Sequence, residues 1–134
     1  RLDQVVDCAG LGLFEWDLDT GAMVFNTRYA EALGYLPDQI APTRAAWEKM
    51  VHPDDLPGVL AALEAFLEDR VPSYAVSYRL ATRSGTYSRV CERGEIITRR
   101  GDGTPARFLG VHLEPDRAAS PGGEPRFARP APRG

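Results

Sequence analysis

The sequence predicts an α+β fold in which helices precede an antiparallel meander of three long strands. Two observations support this. Apolar residues recur at helical spacing between Leu56 and Leu67, and they alternate with polar residues after Pro72. Turn signals then divide the alternating stretch at residues 84–85 and 100–103. Grouping of helices apart from strands is typical of α+β domains, whereas parallel α/β domains alternate them.

The N-terminal part is predicted to form a hairpin and a short helix. Alternating side chains indicate two short strands, and the turn between them contains Gly21, which can adopt positive φ. Thr27 is the predicted N-cap of the helix, and Gly34 ends it. These elements cover residues 12–18, 22–26 and 28–33.

Two further helices are predicted after a proline-containing loop that has room for at most one helical turn. Thr43 is the predicted N-cap of a helix over residues 44–51. Asp54 is the predicted N-cap of the long helix, because Pro57 lacks an N–H and is tolerated only in the first turn. The apolar stripe of the long helix comprises Leu56, Val59, Leu60, Leu63, Phe66 and Leu67.

The meander follows at residues 74–81, 86–98 and 106–113. A three-stranded sheet cannot bury both of its faces alone. We therefore expect the apolar stripes of the helices to cover one face.

Bulk composition excludes several classes of protein. The chain has 134 residues with 43% hydrophobic residues, which suits one domain with one core. Its net charge of -3 and the absence of a basic stretch argue against nucleic-acid binding. Two cysteines, Cys8 and Cys91, are too few for a secreted disulfide scaffold. No apolar run approaches the roughly 18 residues that span a bilayer.

Composition also divides the chain into three segments. Residues 1–9 carry Leu2, Val5, Val6 and Ala9 at helical spacing, which predicts an amphipathic flanking helix. Residues 10–115 form the predicted domain. Residues 116–134 are rich in Pro, Gly, Ala and Arg, and they are interpreted as a disordered tail or linker. Because the chain begins with Arg1, we interpret it as part of a longer protein, in which a membrane anchor could lie elsewhere.

Several short motifs occur in an order that resembles the PAS family of sensory domains, including its C-terminal PAC-type strands. Each motif is weak alone, but their joint order and spacing over residues 12–113 are specific. The motifs are Trp16-Asp17, Thr20-Gly21, Leu33-Gly34-Tyr35, Trp47, Val51-His52-Pro53-Asp54-Asp55, Tyr78-Arg79-Leu80, Gly85-Thr86-Tyr87, Gly94 and Asp102-Gly103.

The resemblance implies a five-stranded antiparallel sheet with helices packed on one face and a cavity between them. The sequence differs from the family pattern in two places. Arg89 stands where similar domains carry a Trp after the Gly-x-Tyr motif. Glu114-Pro115-Asp116 replaces an Asp-Ile-Thr triplet that leads into a coiled coil, and Pro115 interrupts a continuous helix. The usual helical output route is therefore altered or absent in this chain.

No residue pattern indicates catalysis or a metal site. His52 with Asp54 and Asp55 could bind a metal, but Asp residues here are better explained as a turn and helix cap. A metal would need a further ligand, and the other histidine, His112, is distant in sequence. No nucleophile–base pair or phosphate-binding loop is present.

The cofactor, if any, is not identified by the sequence. Covalent flavin is disfavoured because the Asn-Cys-Arg-Phe-Leu-Gln run of light-sensing relatives is absent, and Cys91 lies in a predicted strand. A c-type haem is disfavoured because no Cys-x-x-Cys-His motif occurs. A small organic ligand is compatible with the sequence.

Aromatic and apolar residues of the predicted core could line a ligand cavity or could fill it. Both interpretations have comparable support, since the family uses one volume for both. Glu92 and Ser77 are candidate polar anchors whose orientation depends on strand register. The candidate cavity lining is Phe25, Tyr35, Trp47, Leu63, Phe66, Val76, Tyr78 and Glu92.

The predicted function is that of a non-catalytic cytoplasmic sensory module in a larger bacterial signalling protein. It would bind a small ligand, mediate dimerisation, or both, and pass the signal to an effector domain such as a histidine kinase or cyclic-di-GMP enzyme. A homodimer is expected through the N-terminal helix or the sheet face, without direct membrane contact. The alternative is a ligand-free interaction and dimerisation scaffold.

Overall fold

The computed structural model describes residues 10–113, which contain five strands and three α-helices. The predicted flanking helix at residues 1–9 and the tail at residues 116–134 lie outside the described part. The elements are β1 (Gly12–Asp17), β2 (Met23–Phe25), α1 (Thr27–Ala32), a 3-10 turn (Pro37–Gln39), α2 (Arg44–Met50), α3 (Leu56–Leu67), β3 (Tyr74–Ala81), β4 (Tyr87–Arg99) and β5 (Pro105–Leu113). The α+β class and the predicted order of elements are confirmed.

All five strands form one antiparallel sheet in the order β2-β1-β5-β4-β3. The last strand therefore lies in the middle, between the N-terminal hairpin and the rest of the meander. Phe14 of β1 is opposite Phe25 on one side and Gly110 on the other. In this strand order, β2 and β3 are the edge strands.

The helices cover one face of the sheet, and the main core lies between the helices and this face. The core is rich in aromatic side chains, and their rings contact one another mostly edge-to-face or tilted. Its largest buried side chains are Trp16, Trp47, Tyr29, Tyr78, Phe14, Phe108, Leu63 and Leu80. Within residues 10–113, no helix is long and apolar enough to cross a bilayer.

Two glycines make room for these rings on the inner face of the sheet. Gly94 and Gly110 are opposite each other on β4 and β5. A Cβ at Gly94 would lie 2.2 Å from Phe108 Cζ, and one at Gly110 would lie 2.2 Å from Phe14 Cζ. Since such distances are impossible, both positions require glycine for the rings to lie flat against the backbone.

Helix α1 is capped by Asn26, and the predicted cap at Thr27 was wrong. Asn26 Oδ1 accepts from Tyr29 N and also from Leu13 N, both at 3.0 Å, while Nδ2 donates to Leu11 O at 3.1 Å. The Asn26 amide accepts through Oδ1 and donates through Nδ2, so it binds three backbone groups at the same time. Asn26 therefore joins α1 to the chain that enters β1.

Helix α3 begins one residue later than predicted, with Asp55 and not Asp54 at the N-cap position. Asp55 N and Leu56 N both donate to His52 O, which closes the turn before the helix. The Asp55 carboxylate does not cap the helix because it binds Arg79 of β3 instead. The predicted caps at Thr43 and Gly34 are confirmed.

Candidate functional site

The centre of the domain holds a buried carboxylate, that of Glu92 on β4, whose side chain is 1% exposed. Its Oε2 accepts from Tyr74 Oη at 2.8 Å, and its Oε1 accepts from Tyr78 Oη at 2.5 Å. His112 Nε2 of β5 lies 2.8 Å from the same Oε1. A buried carboxylate is costly unless it is hydrogen-bonded, and three partners compensate this cost here.

The network extends from the sheet to a helix. Trp47 Nε1 of α2 donates to Tyr78 Oη at 3.0 Å. Burial, with a smaller effect from the negative charge of Glu92, raises the pKa of Tyr78 well above its usual value. The same two causes raise the pKa of Tyr74. Both phenols therefore remain protonated donors, and the network connects β5, β4, β3 and α2 through side chains.

Two further polar atoms in the core have no hydrogen-bond partner within the described residues, Trp16 Nε1 and Tyr29 Oη. Tyr29 stacks on His112 with ring centroids 4.9 Å apart. Burial, and to a smaller degree Glu92, raises the pKa of Tyr29, so its hydroxyl also stays protonated. The interior thus offers two donors that a water molecule or a ligand acceptor could satisfy.

The structure brings some of the predicted lining residues together. Trp47, Tyr78 and Glu92 form the hydrogen-bonded chain, and Val76 is opposite Glu92 in register. The buried side chains of Leu63 and Phe66 belong to the same core.

The other predicted lining residues lie at its margin. Phe25 is partly buried on the edge strand β2, with its ring 5.2 Å from that of Tyr29. Tyr35 is partly buried beside a surface depression lined also by Leu36 and Arg83. The polar candidate Ser77 accepts a hydrogen bond from Arg89 and takes no part in the network around Glu92.

Sequence reasoning missed three members of the site, namely Tyr29, Tyr74 and His112. His112 was considered only as a partner for His52, whereas its partner is Glu92, directly opposite on the neighbouring strand. Alternation on β5 could have placed His112 on the inner face with Phe108. Its pairing with Glu92 depends on the register between β4 and β5, which alternation does not give.

The His52 turn has a structural role in the described domain. His52 Nδ1 accepts from Asp54 N at 3.0 Å, and His52 N donates to Arg79 O at 2.9 Å. Asp55 forms a bidentate pair with Arg79, at 2.9 Å and 2.8 Å. This hydrogen bonding to Arg79 lowers the pKa of Asp55 to about 2. The turn therefore fixes the start of α3 against the edge strand β3.

The outer face of the sheet carries a second, smaller apolar cluster. Leu13 and Leu109 are buried there, and Leu11 and Val111 pack against them. Cys91 lies in a strand, as predicted; it is buried, and it is opposite Ser77 on β3 and Leu113 on β5. Leu13 lies on β1, Leu109 and Val111 lie on the neighbouring central strand β5, and Leu11 immediately precedes β1.

Comparison with known families gives one clear match. The sequence profile described as "PAS fold" matches residues 22–112, which include α1 to α3, β3 and β4 and most of β5. The match contains Glu92, Tyr74, Tyr78 and His112.

Three similar proteins are informative. A domain of a sensory box histidine kinase/response regulator from Burkholderia thailandensis is 34% identical, with a TM-score of 0.70, covering 84% of this chain and 82% of that one. The N-terminal domain of a diguanylate cyclase with PAS/PAC sensor from Marinobacter aquaeolei is 18% identical, with a TM-score of 0.68 and coverages of 78% and 94%, and it shows the shared fold. A methyl sulfide methyltransferase-associated sensor from Methanosarcina acetivorans is 27% identical over 115 residues, 85% of this chain but only 11% of that protein.

Proposed function

This chain belongs to the PAS fold family, and from that premise we propose that it is the sensory module of a larger signalling protein. The observation that carries this proposal is the similarity, over most of both chains, to a domain of a sensory histidine kinase. The effector would lie outside this sequence, as a histidine kinase or a cyclic-di-GMP enzyme. The module itself would be non-catalytic and cytoplasmic, without nucleic-acid binding or direct membrane contact.

The interior around Glu92 is the proposed sensing element, with a small organic ligand held among the predicted lining residues. The donors Trp16 Nε1 and Tyr29 Oη support this, since they have no partner among residues 10–113 and a ligand with acceptor atoms would satisfy them. Glu92 would transmit a change at the ligand to β3 and β5, because its partners Tyr74, Tyr78 and His112 lie on those strands. The change would reach α2 through the hydrogen bond that Trp47 donates to Tyr78. The signal would then be a shift between conformations of these elements.

A ligand-free scaffold is the second candidate. Its support is that aromatic side chains fill the volume over the sheet, and that Glu92 already has three partners.

Thermal unfolding with a panel of metabolites separates the two candidates. A ligand at 100 times its Kd adds about 2.7 kcal/mol of stability. An absorbance spectrum of the purified protein tests for haem or flavin. A flat visible spectrum together with no stabilisation by any compound would favour the scaffold.

Homodimerisation is proposed through the N-terminal segment and the outer face of the sheet. The support is the apolar cluster of Leu13 and Leu109 on that face, together with the stripe Leu2, Val5 and Val6 in the sequence. Light scattering after size-exclusion chromatography should give a dimer mass, and Val111→Glu should give a monomer. A monomer mass for the unchanged protein at high concentration contradicts this part of the proposal.

To test the sensory role itself, Glu92→Gln would be placed in the longer protein that contains this chain. We expect an effector output that no longer responds to its signal while its basal level persists. The surface substitution Glu95→Gln on the same strand is the matched control. An unchanged response with Glu92→Gln would remove the interior from the signalling route.

A further inference from the structure

The free edge of β3 carries backbone groups that have no partner within the described residues. Arg79 N donates to Asp55 Oδ2 and Arg79 O accepts from His52 N, so the peptide groups of Arg79 point away from β4. Backbone direction alternates along a strand, so the N–H and C=O groups of Ala75 and Ser77 point to the same side. Neither residue makes a hydrogen bond on that edge to any other described residue.

A groove of about 370 Å³ runs beside this edge, between β3 and α3. Its helix side presents the small residues Gly58 and Ala62, and a Cβ at Gly58 would meet no atom within 4 Å. Its floor includes Val59 and Val76. An unpaired strand edge next to a partly apolar groove is the arrangement that accepts an added peptide strand.

The part of the edge next to the groove is already paired in this way. Val51 and His52 lie along β3 at Leu80 and Arg79, as a short antiparallel bridge. An added segment at Ser77 and Ala75 would continue the same line along the edge. It needs only about four residues, because only two residues of β3 present their peptide groups there.

We propose that residues 126–129, Arg-Phe-Ala-Arg, add to the edge of β3 as a sixth strand, with the ring of Phe127 in the groove over Gly58 and Ala62. Phe127 is the lone large apolar residue after Leu113. The four residues lie between Pro125 and Pro130, neither of which could donate to the edge, whereas all four have an N–H.

The position at which β5 ends makes this segment available. Leu113 is opposite Cys91, and Cys91 is opposite Ser77, so the chain leaves the sheet two strands away from the free edge. The added strand lies about 14 Å from Leu113 at the usual strand spacing. Residues 114–125 can extend over as much as about 40 Å, which is more than sufficient. The tether also raises the effective concentration of the segment to roughly millimolar.

Charge supports the same occupant. Residues 126–133 hold three arginines and no acidic residue. At the α3 end of the groove, Asp54 is exposed and has no ion-pair partner in the described part of the chain, whereas Asp55 is paired with Arg79. Arg89, which also lines the groove, hydrogen-bonds Ser77 Oγ at 3.2 Å. An arginine of the tail would therefore find Asp54 free.

Amide hydrogen exchange of the full 134-residue chain, measured by NMR, tests the proposal. We expect the Ala75 and Ser77 amides to be protected at least about tenfold, although they have no partner within residues 10–113. Phe127→Ala should remove that protection, and Arg117→Ala in the same tail should leave it. Gly58→Leu, which fills the groove from the helix side, should also remove it. The Val76 amide, which faces β4, reports that each variant remains folded.

Three results would overturn the proposal. The two amides could exchange at the unprotected rate in the unchanged chain. Protection could persist in Phe127→Ala, which would mean that another segment occupies the edge. Protection could fall on dilution, which would identify a second copy of the chain as the occupant.

Discussion

Glu92 Oε1 lies 2.8 Å from His112 Nε2, and the two residues are directly opposite each other on β4 and β5. The pair occupies the centre of an aromatic core, where Tyr74 and Tyr78 complete the shell of the carboxylate. This arrangement makes the inner face of the sheet polar at one point and apolar around it. It also makes one side chain of β4 responsible for contacts with both neighbouring strands, β3 and β5.

Removal of the carboxylate should therefore be costly. Glu92→Gln keeps the size of the side chain but replaces one acceptor oxygen by an NH2 group that would face a phenol donor. We expect a loss of about 1–3 kcal/mol in the free energy of unfolding, measured by urea denaturation. Glu95→Gln, at an exposed position of the same strand, should change stability by less than about 0.5 kcal/mol. Equal effects of the two substitutions would show that the network does not stabilise the fold.

The two inner-face glycines lead to a prediction about packing. Gly110→Ala places a methyl group against the ring of Phe14 and should cost about 1–3 kcal/mol. Phe14→Leu in the same chain should reduce that cost, because it removes the ring that the methyl group meets. Gly101→Ala, whose Cβ would meet nothing within 4 Å, is the control. Strictly additive effects of Gly110→Ala and Phe14→Leu would contradict the contact.

The Asp55–Arg79 pair predicts a pH dependence of stability. The folded pKa of Asp55 is lowered to about 2, below the unfolded value of about 3.9. The pair therefore stabilises the fold fully above about pH 5 and loses this contribution as the pH falls toward 2. The contribution should be about 1–2 kcal/mol, because the carboxyl is 20% exposed and partly screened.

Chemical unfolding of the unchanged protein and of Asp55→Asn between about pH 6 and pH 2 measures this contribution. The stability difference between the two should shrink as the pH falls. A constant difference across the whole range would be inconsistent with the lowered pKa.

Asn26 should be more important than an ordinary helix cap. Asn26→Ala removes the cap of α1 and leaves Leu13 N without its partner, for an expected loss of about 2–3 kcal/mol. Asn26→Asp keeps both accepted bonds and loses the bond donated to Leu11 O, so it should cost less than Asn26→Ala. Thermal unfolding of the two variants under identical conditions measures and compares these two losses of stability. A larger loss for Asn26→Asp than for Asn26→Ala would exclude this account of the residue.

Features that depend on neighbours in sequence were predicted well. The caps at Thr43 and Gly34 and the turns at Gly85 and Gly103 follow from local backbone preferences, which a short stretch of sequence contains. The segregation of helices and strands, and the resemblance to the PAS family, rested on such signals in their correct order. Two caps were misplaced by one residue, because Asn26 and Asp55 have partners that are distant in sequence.

The sequence by itself determined the order, type and approximate limits of the elements, since periodicity and turn residues act over a few positions. Only the tertiary structure decided that β5 lies in the middle of the sheet and that Glu92 meets His112, Tyr74 and Tyr78. It also decided which edge of the sheet stays open. The physical reason is strand register: a shift of one residue exchanges the faces of a strand, and register is fixed by long-range packing of the whole core.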